Sequence, residues 1–481
     1  MTFHRREVLG TFGVGSASTL LWALGCGGSA AQVRRAPQVS GEVRTWLHDA
    51  VARLATTYPT VHALAVSRRR TTAALDVLGA GVAHLRTDSV VLRVRGRDGT
   101  WREHLTSELT GSGVDAAATA LDAPRRRDPV DFGRAPATPA EPPELDDREL
   151  RHRVERLLES DASLSSRIVY AAALIDVDDA VVWSVAPGRD LEQRLVRIRQ
   201  AATRAAWNGT RPVVRDVERA WSGWLDDRPL TPGDLATASQ AALELMTPGN
   251  FADGDHPLVL DPSVVATLLD SLAAGLLTSA AARRPEVARR IAVGGAIASP
   301  AFTVIDDPGA PQAYGGFAFD DEGELAAPLT LLDAGRVTTL LSDHIGGGAG
   351  RGRRPGHRAR LEPSPSHLRL VPGTAATTEL YADGFALEGG LAATFDPASD
   401  RVCVACARAR ELKAGNPTGR VYADVELVGS LTTLLSAVDA VAREPAGFTV
   451  RGPSDRDPLW RSISTPAVRT RGLVRARRSA T

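Results

Sequence analysis

Residues 298–343 read ASPAFTVIDDPGAPQAYGGFAFDDEGELAAPLTLLDAGRVTTLLSD, and this stretch decides how the chain folds. Turn-forming pairs such as Asp307-Pro308 and Glu322-Gly323 separate short segments in which apolar and polar residues alternate. Short alternating segments bounded by glycines continue beyond it, as in GGLAATFDP and GRVYADVELVGS. The pattern predicts a mostly antiparallel β domain, which we expect to span residues 247–481 because turn formers cluster at TPGNFADGDHP, residues 247–257.

One helix is predicted immediately before this stretch. Residues 258–277 read LVLDPSVVATLLDSLAAGLL, an apolar run with a proline near its start. After it, few long helical patterns remain in the chain. We therefore expect this helix to lie against the sheet of the C-terminal domain.

Three blocks in fixed order, SPAFTVIDDP, YGGFAFDDEG and LLDAGRV, resemble the TldD/PmbA family of paired bacterial metallopeptidase-like proteins. In the catalytic branch of that family, the preceding helix carries His-Glu-x-x-x-His, which supplies two zinc ligands and a carboxylate that activates water. The corresponding positions here are Asp270, Ser271 and Gly275. An aspartate replaces the first imidazole, a serine cannot act as the carboxylate base, and a glycine has no side chain to bind a metal.

A third zinc ligand of the catalytic branch is a cysteine near the C-terminus, whereas residues 448–460 here read FTVRGPSDRDPLW, with no cysteine. The resemblance therefore implies the PmbA/TldE-like branch, a non-catalytic partner subunit of a zinc-dependent TldD-like peptidase that acts on peptides. It implies no cofactor on this chain and zinc on the partner. Two alternatives stay open: an exported lipoprotein binding module on the same fold, and a hydrolase with a non-standard site.

Residues 1–32 have the basic start, apolar middle and small-residue end of an export signal. RREVL, residues 5–9, resembles a twin-arginine signal, and ALGC, residues 23–26, resembles a lipobox that would lipidate Cys26. The chain is therefore expected to be a periplasmic protein or a lipoprotein anchored in the inner membrane. Cleavage near residues 30–31 would instead leave it unanchored.

The N-terminal domain, residues 33–246, is predicted to be a mixed α/β domain, so that the whole chain is α+β. VHALAVSRRR, TDSVVLRVRG and RIVYAAALIDVDDAVVWSVAP have strand-like composition, whereas Val43, Leu47, Val51 and Leu54 follow helical spacing. ELRHRVERLLES and DLEQRLVRIRQAATRAAW are amphipathic and are predicted as helices. Residues 123–147, rich in proline and charge, are predicted to be an exposed insertion.

Charge and glycine content bear on binding partners. The chain has 57 basic and 57 acidic residues, so nothing global draws it to nucleic acid. GGGAGRGRRPGH, residues 346–357, lacks the Lys-Ser/Thr of a P-loop. It is predicted either as an exposed loop or, by the resemblance, as part of a substrate cleft in which Arg351, Arg353 or Arg354 binds carboxylates or peptide carbonyls.

Three further sets of residues could bind metal, but the sequence favours a structural role for each. Cys403 and Cys406 form a CxxC motif inside a strand-like segment, where side chains three apart point to opposite faces. Acidic side chains beside tight turns are expected to cap backbone amides. These acidic residues are Asp306, Asp307, Asp320, Asp321 and Glu322. The C-terminal histidines, His256, His344, His357 and His367, show no ligand spacing and are expected to have backbone partners.

Overall fold

The computed structural model describes residues 40–76, 79–121, 145–159, 167–210, 212–344, 348, 350–354, 361–451 and 459–477. The predicted export signal with Cys26 lies outside these residues, as does most of the predicted insertion at 123–147. None of the described helices is both long enough and apolar enough to cross a membrane.

The N-terminal part is built on one six-stranded sheet. Its strands are β1 (Thr60–Asp76), β2 (Gly79–Arg95), β3 (Trp101–Thr106), β4 (Ile168–Ala186), β5 (Arg189–Trp207) and β6 (Pro212–Ser222). They are arranged in the order β3-β2-β1-β4-β5-β6, and every neighbouring pair is antiparallel. The long central strands give the sheet a continuous surface that faces the C-terminal part.

Four helices pack on this sheet: α1 (Ser40–Ala55), α2 (Gly111–Leu121), α3 (Asp147–Glu159) and α4 (Pro232–Glu244). Leu47 and Val51 of α1 are fully buried against α2 and the sheet, as their helical spacing predicts. Thr231 caps α4 through a reciprocal pair of hydrogen bonds with Asp234. The helical prediction for ELRHRVERLLES is confirmed by α3.

The helix predicted for DLEQRLVRIRQAATRAAW is wrong, because this segment forms strand β5. Its backbone pairs with β4 on one side and with β6 on the other. Two arginines of β5 form ion pairs with neighbouring strands, Arg194 with Asp179 of β4 and Arg199 with Glu218 of β6. Pairing with the preceding and following strands therefore outweighs the local amphipathic pattern.

The C-terminal part contains two larger sheets and one strand pair. Its strands are β7 (Gly254–Leu260), β8 (Val304–Asp306), β9 (Leu329–Asp333), β10 (Arg336–Val337), β11 (Gly352–Arg353), β12 (Glu362–Pro363), β13 (His367–Leu370), β14 (Gly384–Asp396), β15 (Arg401–Lys413), β16 (Asn416–Ser430), β17 (Ala440–Val441), β18 (Ala446–Arg451), β19 (Trp460–Thr465) and β20 (Val468–Ala476). Its helices are α5 (Pro262–Gly275), α6 (Ser279–Ala282), α7 (Pro285–Ala288), α8 (Leu431–Ser436) and a 3₁₀ turn (Thr377–Leu380).

One sheet closes into a barrel because β16 pairs with both β15 and β20 in the order β16-β15-β14-β7-β20-β17. The other sheet has the order β10-β9-β8-β13-β19-β18, and β11 pairs with β12. Pairing is antiparallel except between β14 and β7 and between β13 and β19. The predicted α+β class, with a mostly antiparallel C-terminal domain, is confirmed.

Helix α5 lies between the barrel and the second sheet. Asp261 caps it by accepting a hydrogen bond from the backbone N–H of Val264 at 2.9 Å, and Pro262 occupies the first turn. Leu268, Leu269 and other apolar side chains of the helix are buried in the core shared by the two sheets. The predicted helix therefore exists, and its burial fixes the residues that follow Leu269 at a defined position against β14 and β19.

Candidate functional site

Asp270 of α5 forms an ion pair with Arg461 of β19. Arg461 Nη2 lies 3.2 Å from Asp270 Oδ2, and the two side chains are 11% and 19% exposed. Burial raises the pKa of Asp270, and the charge of Arg461 opposes that shift. The position of the family's first metal ligand thus holds a carboxylate already matched to a guanidinium.

Ser271 and Gly275 are also committed to local contacts. The Ser271 hydroxyl donates to the Thr267 carbonyl of the preceding helical turn at 3.0 Å. At Gly275, an added Cβ would lie 2.6 Å from Phe395 Cδ1, so the Phe395 ring occupies the space of a side chain there. Neither Ser271 nor Gly275 offers a side-chain group that is free to bind a ligand, whereas Asp270 pairs with Arg461 through Oδ2 and its Oδ1 is buried without a hydrogen-bond partner.

A zinc ion does not fit this arrangement. Its site would require neutral or anionic donors, yet Arg461 places a positive charge beside residue 270 and Phe395 fills the space at residue 275. Within the described ranges, no three His, Cys, Asp or Glu side chains are gathered closely enough to hold a metal ion.

Asp306 belongs to the first of the three sequence blocks, SPAFTVIDDP, and these blocks are called the signature below. Its side chain is fully buried and binds the backbone at the start of β13. Its Oδ1 accepts hydrogen bonds from the Ser366 backbone N–H and hydroxyl, both at 2.8 Å, and from the His367 N–H at 3.0 Å. Arg351 Nε donates to Oδ2 at 2.5 Å. All these partners belong to the protein, so Asp306 is a structural residue rather than a metal ligand.

The second acidic group of the signature joins the two parts of the chain. Asp320 accepts hydrogen bonds from the backbone N–H groups of Glu322, Glu324 and Gly352, each at 2.9 Å, which confirms the predicted turn-capping role. Burial raises its pKa to about 7. Glu322 accepts a 2.5 Å hydrogen bond from Arg93 of β2 in the N-terminal sheet.

His344 reinforces this junction. Its ring nitrogens lie 3.3 Å from carboxylate oxygens of Glu322 and Glu324, so the expectation of a backbone partner for its side chain is wrong. Burial disfavours the charge on Glu322, but hydrogen bonds from His344 and Arg93 hold its pKa below the usual value. The hydrogen bond to Glu322 in turn raises the pKa of His344.

The three predicted cleft arginines are all buried, so the exposed-loop alternative is wrong for residues 350–354. Arg351 is committed to Asp306. Arg354 Nη2 donates to Glu103 of β3 at 2.6 Å. Arg353 Nη1 donates to the carbonyl oxygens of Pro365 and Trp460, at 3.3 and 3.0 Å.

Arg353 and Arg354 line a cavity between the N-terminal sheet and the C-terminal part, with a volume of about 80 Å³. The sheet contributes β1, β2, β4 and β5, and the opposite wall comes from the signature and the start of β19. Its charged lining residues are Arg68, Asp88, Arg197, Asp320, Asp321, Arg353 and Arg354. Two of the three arginines that the resemblance assigns to a cleft therefore face an internal space, whereas Arg351 does not line it.

Among the described residues, Cys403, Cys406, His256 and His367 do not gather into a metal site. Cys403 and Cys406 are unbridged on β15, and Cys406 is buried while Cys403 is half-buried, which confirms that they point to opposite faces. Burial raises the pKa of both thiols. His367 Nδ1 contacts the Ser462 hydroxyl at 2.8 Å, and His256 packs edge-on against Phe385. His357 lies outside the described residues.

Sequence reasoning missed the residues that close the helix site and those that face the cavity from the sheet. Arg461, Phe395 and Arg197 lie far along the chain from their partners, and no local motif marks them. The alternation along β5 and β19 could have indicated which of their side chains share a face, because residues two apart on a strand point the same way. It could not have identified the residues that those faces contact.

Comparisons with known proteins agree with this architecture. The model of the PmbA/TldA metallopeptidase C-terminal domain matches residues 253–476. A metalloprotease of Methanocaldococcus jannaschii is 24% identical over 216 residues, which are 43% of this chain and 48% of that relative. The match thus spans about half the length of the relative.

Two solved structures share the fold at low identity. A proposed modulator of DNA gyrase from Thermotoga maritima superposes with a TM-score of 0.70 at 16% identity, covering 86% of this chain and 96% of the other. TldE from Thermococcus kodakarensis gives 0.67 at 16% identity, covering 87% and 97%. Residues 253–476 therefore belong to the metallopeptidase C-terminal domain of the PmbA/TldA family, and the described chain shares the fold of these two structures.

Proposed function

We propose that this chain is the metal-free, non-catalytic subunit of a peptidase pair, the PmbA/TldE-like partner of a zinc-bearing TldD-like chain that cleaves peptides. Its own helix α5 supplies neither ligand nor base. Its role is to shape the peptide-binding surface of the pair, and zinc and the activated water belong to the partner.

The observation that carries this proposal is the Asp270–Arg461 ion pair. A position that only lost its ligand would leave a polar gap, whereas this one holds a matched pair inside a packed interface between α5 and β19. Removing one member would leave a largely buried charge unpaired, which is costly. The pair therefore favours a chain built to be stable without metal.

The comparisons support a relation to TldE-like and metalloprotease proteins, and the pairing with a TldD-like chain is inferred from that relation. One similar structure is a TldE, and the M. jannaschii relative is named a metalloprotease. Membership in this family favours action on peptides over action on nucleic acid, in agreement with the balanced charge of the chain.

We also propose that the chain is exported through the twin-arginine route and anchored by a lipid on Cys26. RREVL and ALGC in the first 26 residues are the basis for this proposal. Mass spectrometry of the mature N-terminus from the native host tests it. A diacylated Cys26 supports anchoring, cleavage near residues 30–31 supports an unanchored periplasmic form, and an intact N-terminus contradicts export.

Co-expression with a TldD-like chain from the same genome tests the functional proposal. We expect the two chains to copurify and to hydrolyse an unstructured peptide only together. Replacing the motif glutamate of the TldD-like chain by glutamine should abolish hydrolysis, whereas Ser271→Ala in this chain, the matched position, should leave it unchanged. Hydrolysis by this chain alone would favour a non-standard hydrolase, and failure to copurify would favour a separate binding module.

A further inference from the structure

The cavity between the two parts of the chain contains two arginines whose hydrogen-bond partners are uncharged. Arg197 of β5 donates from Nε to the Tyr314 carbonyl at 2.7 Å and from Nη2 to the Gly316 carbonyl at 3.2 Å. Arg353, on the opposite wall, donates only to carbonyl oxygens and stacks over the Phe317 ring, with its guanidinium carbon 5.2 Å from the centroid. Both are more than nine-tenths buried.

Neither guanidinium forms an ion pair with a carboxylate among the described residues, which sets them apart from the neighbouring arginines of the cavity. Arg68 lies 3.3 Å from Asp178, and Arg354 donates to Glu103 at 2.6 Å. Arg68 and Arg354 form ion pairs because each lies within reach of a carboxylate on the N-terminal sheet.

Three carboxylates line the cavity, those of Asp88, Asp320 and Asp321, and of these Asp321 favours the charged form of both arginines. It accepts a 2.7 Å hydrogen bond from the Arg354 backbone N–H. Burial nevertheless lowers the pKa of both guanidiniums, that of Arg353 to about 10. The charge of Arg68 lowers the pKa of Arg197 further, and the charge of Arg197 lowers that of Arg353. Asp178 also favours charged Arg197, and Asp306 favours charged Arg353, but these two carboxylates already pair with Arg68 and Arg351. Asp321 is therefore the carboxylate that remains for the two guanidiniums.

Apolar groups form much of the remaining lining. Leu64 and Val66 of β1 and Leu195 of β5 contribute on the sheet side, and Phe319 and Trp460 contribute on the other. A volume of about 80 Å³ is small, so the cavity suits the charged head and the first carbon atoms of a ligand, and not a long peptide. The chemistry that fits is an anionic head with a short apolar body.

We propose that this cavity binds the carboxylate of a small apolar acid or of the C-terminal residue of a peptide, through Arg197 and Arg353. Planar guanidinium donors match carboxylate geometry, and an anion would compensate the buried charge that the chain itself leaves unpaired. The proposal rests on the cavity alone and does not depend on pairing with a TldD-like chain.

Titration calorimetry on the full mature chain tests this proposal with three probes that share an isobutyl group. N-acetyl-leucine mimics a peptide C-terminus, isovalerate is the free small acid, and N-acetyl-leucinamide lacks the carboxylate. We expect saturable binding of at least one acid and none of the amide. Stronger binding of N-acetyl-leucine identifies a peptide terminus as the ligand, and equal or stronger binding of isovalerate identifies a free acid.

Variants then assign the binding to the cavity. Arg353→Gln should weaken binding about tenfold or more, since it removes a charged hydrogen-bond donor. The control, Arg369→Gln, changes a half-exposed arginine outside the cavity and should bind as the unmodified chain does. Absence of binding for both acids, equal binding of the amide, or an unchanged affinity in a folded Arg353→Gln variant would overturn the proposal. The probe series on the unmodified chain decides the matter even where a variant does not fold.

Discussion

The first residues of strand β19 contribute to two different polar regions. Arg461 faces helix α5, where it meets the opposite charge of Asp270, and the Phe395 ring closes the neighbouring space at Gly275. Trp460 lines the cavity against the N-terminal sheet, where Arg197 and Arg353 form no ion pair among the described residues and Asp321 favours the charged form of both. In the helix region the two opposite charges are paired.

The difference lies in how each region balances its buried charge. Where a matched ion pair takes the position of a ligand, the chain gains a stable interface and no longer needs the ion. Where guanidiniums remain buried without enough carboxylates, their desolvation costs free energy that a bound anion can offset. The chain therefore combines a paired ion at helix α5 with a cavity in which two buried guanidiniums form no ion pair among the described residues.

The largest expected effect is a difference in stability between replacing an arginine that has an ion-pair partner and replacing one that has none among the described residues. Arg351→Gln leaves the buried Asp306 carboxylate without its counter-ion and should lower the free energy of unfolding by about 3–5 kcal/mol. Arg353→Gln breaks no ion pair and loses hydrogen bonds to two carbonyl oxygens, so it should cost less, about 1–3 kcal/mol. Urea unfolding followed by tryptophan fluorescence measures both, and equal losses would contradict the comparison.

Restoring the family motif should fail. In the triple variant Asp270→His, Ser271→Glu, Gly275→His, Arg461 loses its carboxylate and a large side chain meets Phe395, so we expect a loss of about 2–4 kcal/mol and no stoichiometric zinc. Elemental analysis of the purified variant measures the metal. One zinc per chain in this variant would mean that the helix region is not closed as described.

The contact between Gly275 and Phe395 can be measured alone. Gly→Ala in a helix normally gains up to about 1 kcal/mol, but here the new Cβ would clash with the ring, so Gly275→Ala should give no gain. The same substitution in a Phe395→Ala background should recover it, with a coupling free energy of about 1 kcal/mol. Additive effects in this double-mutant cycle would show that the ring moves aside freely.

The smallest effect at neutral pH concerns His62, which is buried in the sheet and contacts the Ser184 hydroxyl at 2.9 Å. Burial, reinforced by Arg189 and Arg93, lowers its pKa to about 3. Between about pH 6.5 and about pH 3 the unfolded chain binds a proton that the folded chain does not. The contribution of His62 to stability is therefore complete above about pH 6.5 and is lost as the pH falls through this window.

The variant His62→Gln, which retains a hydrogen-bonding side chain, removes this titration. We expect it to unfold like the original chain at pH 7 and to lose less stability on acidification to pH 4. Denaturant unfolding at a series of pH values gives the comparison. Parallel pH profiles for the two chains would show that the folded state protonates His62 as readily as the unfolded state does.

Local patterns were sufficient for much of the fold. The caps and apolar residues of α5, the alternation of the C-terminal strands and the turn chemistry of Asp320 all depend on neighbours in the sequence. The segment of β5 was predicted wrongly because its amphipathic spacing also fits a helix, and only pairing with β4 and β6 decides between them.

The candidate site was predictable only in part, for the same reason. The loss of three motif side chains can be seen in the sequence, but their replacements cannot, since Arg461 and Phe395 reach α5 from distant strands. The burial of Arg351 and Arg353 was likewise hidden, because a glycine- and arginine-rich segment has the composition of an exposed loop. Whether a buried arginine has a carboxylate beside it is a property of the assembled fold.

The zinc content of this chain, measured together with its partners, tests the central claim most directly. The mature protein is isolated from its native host by pull-down, and metal and bound proteins are quantified by elemental analysis and mass spectrometry. We predict a metal-free chain that brings down a zinc-bearing TldD-like protein. Stoichiometric zinc on this chain alone, with peptide hydrolysis and no such partner, would contradict the account.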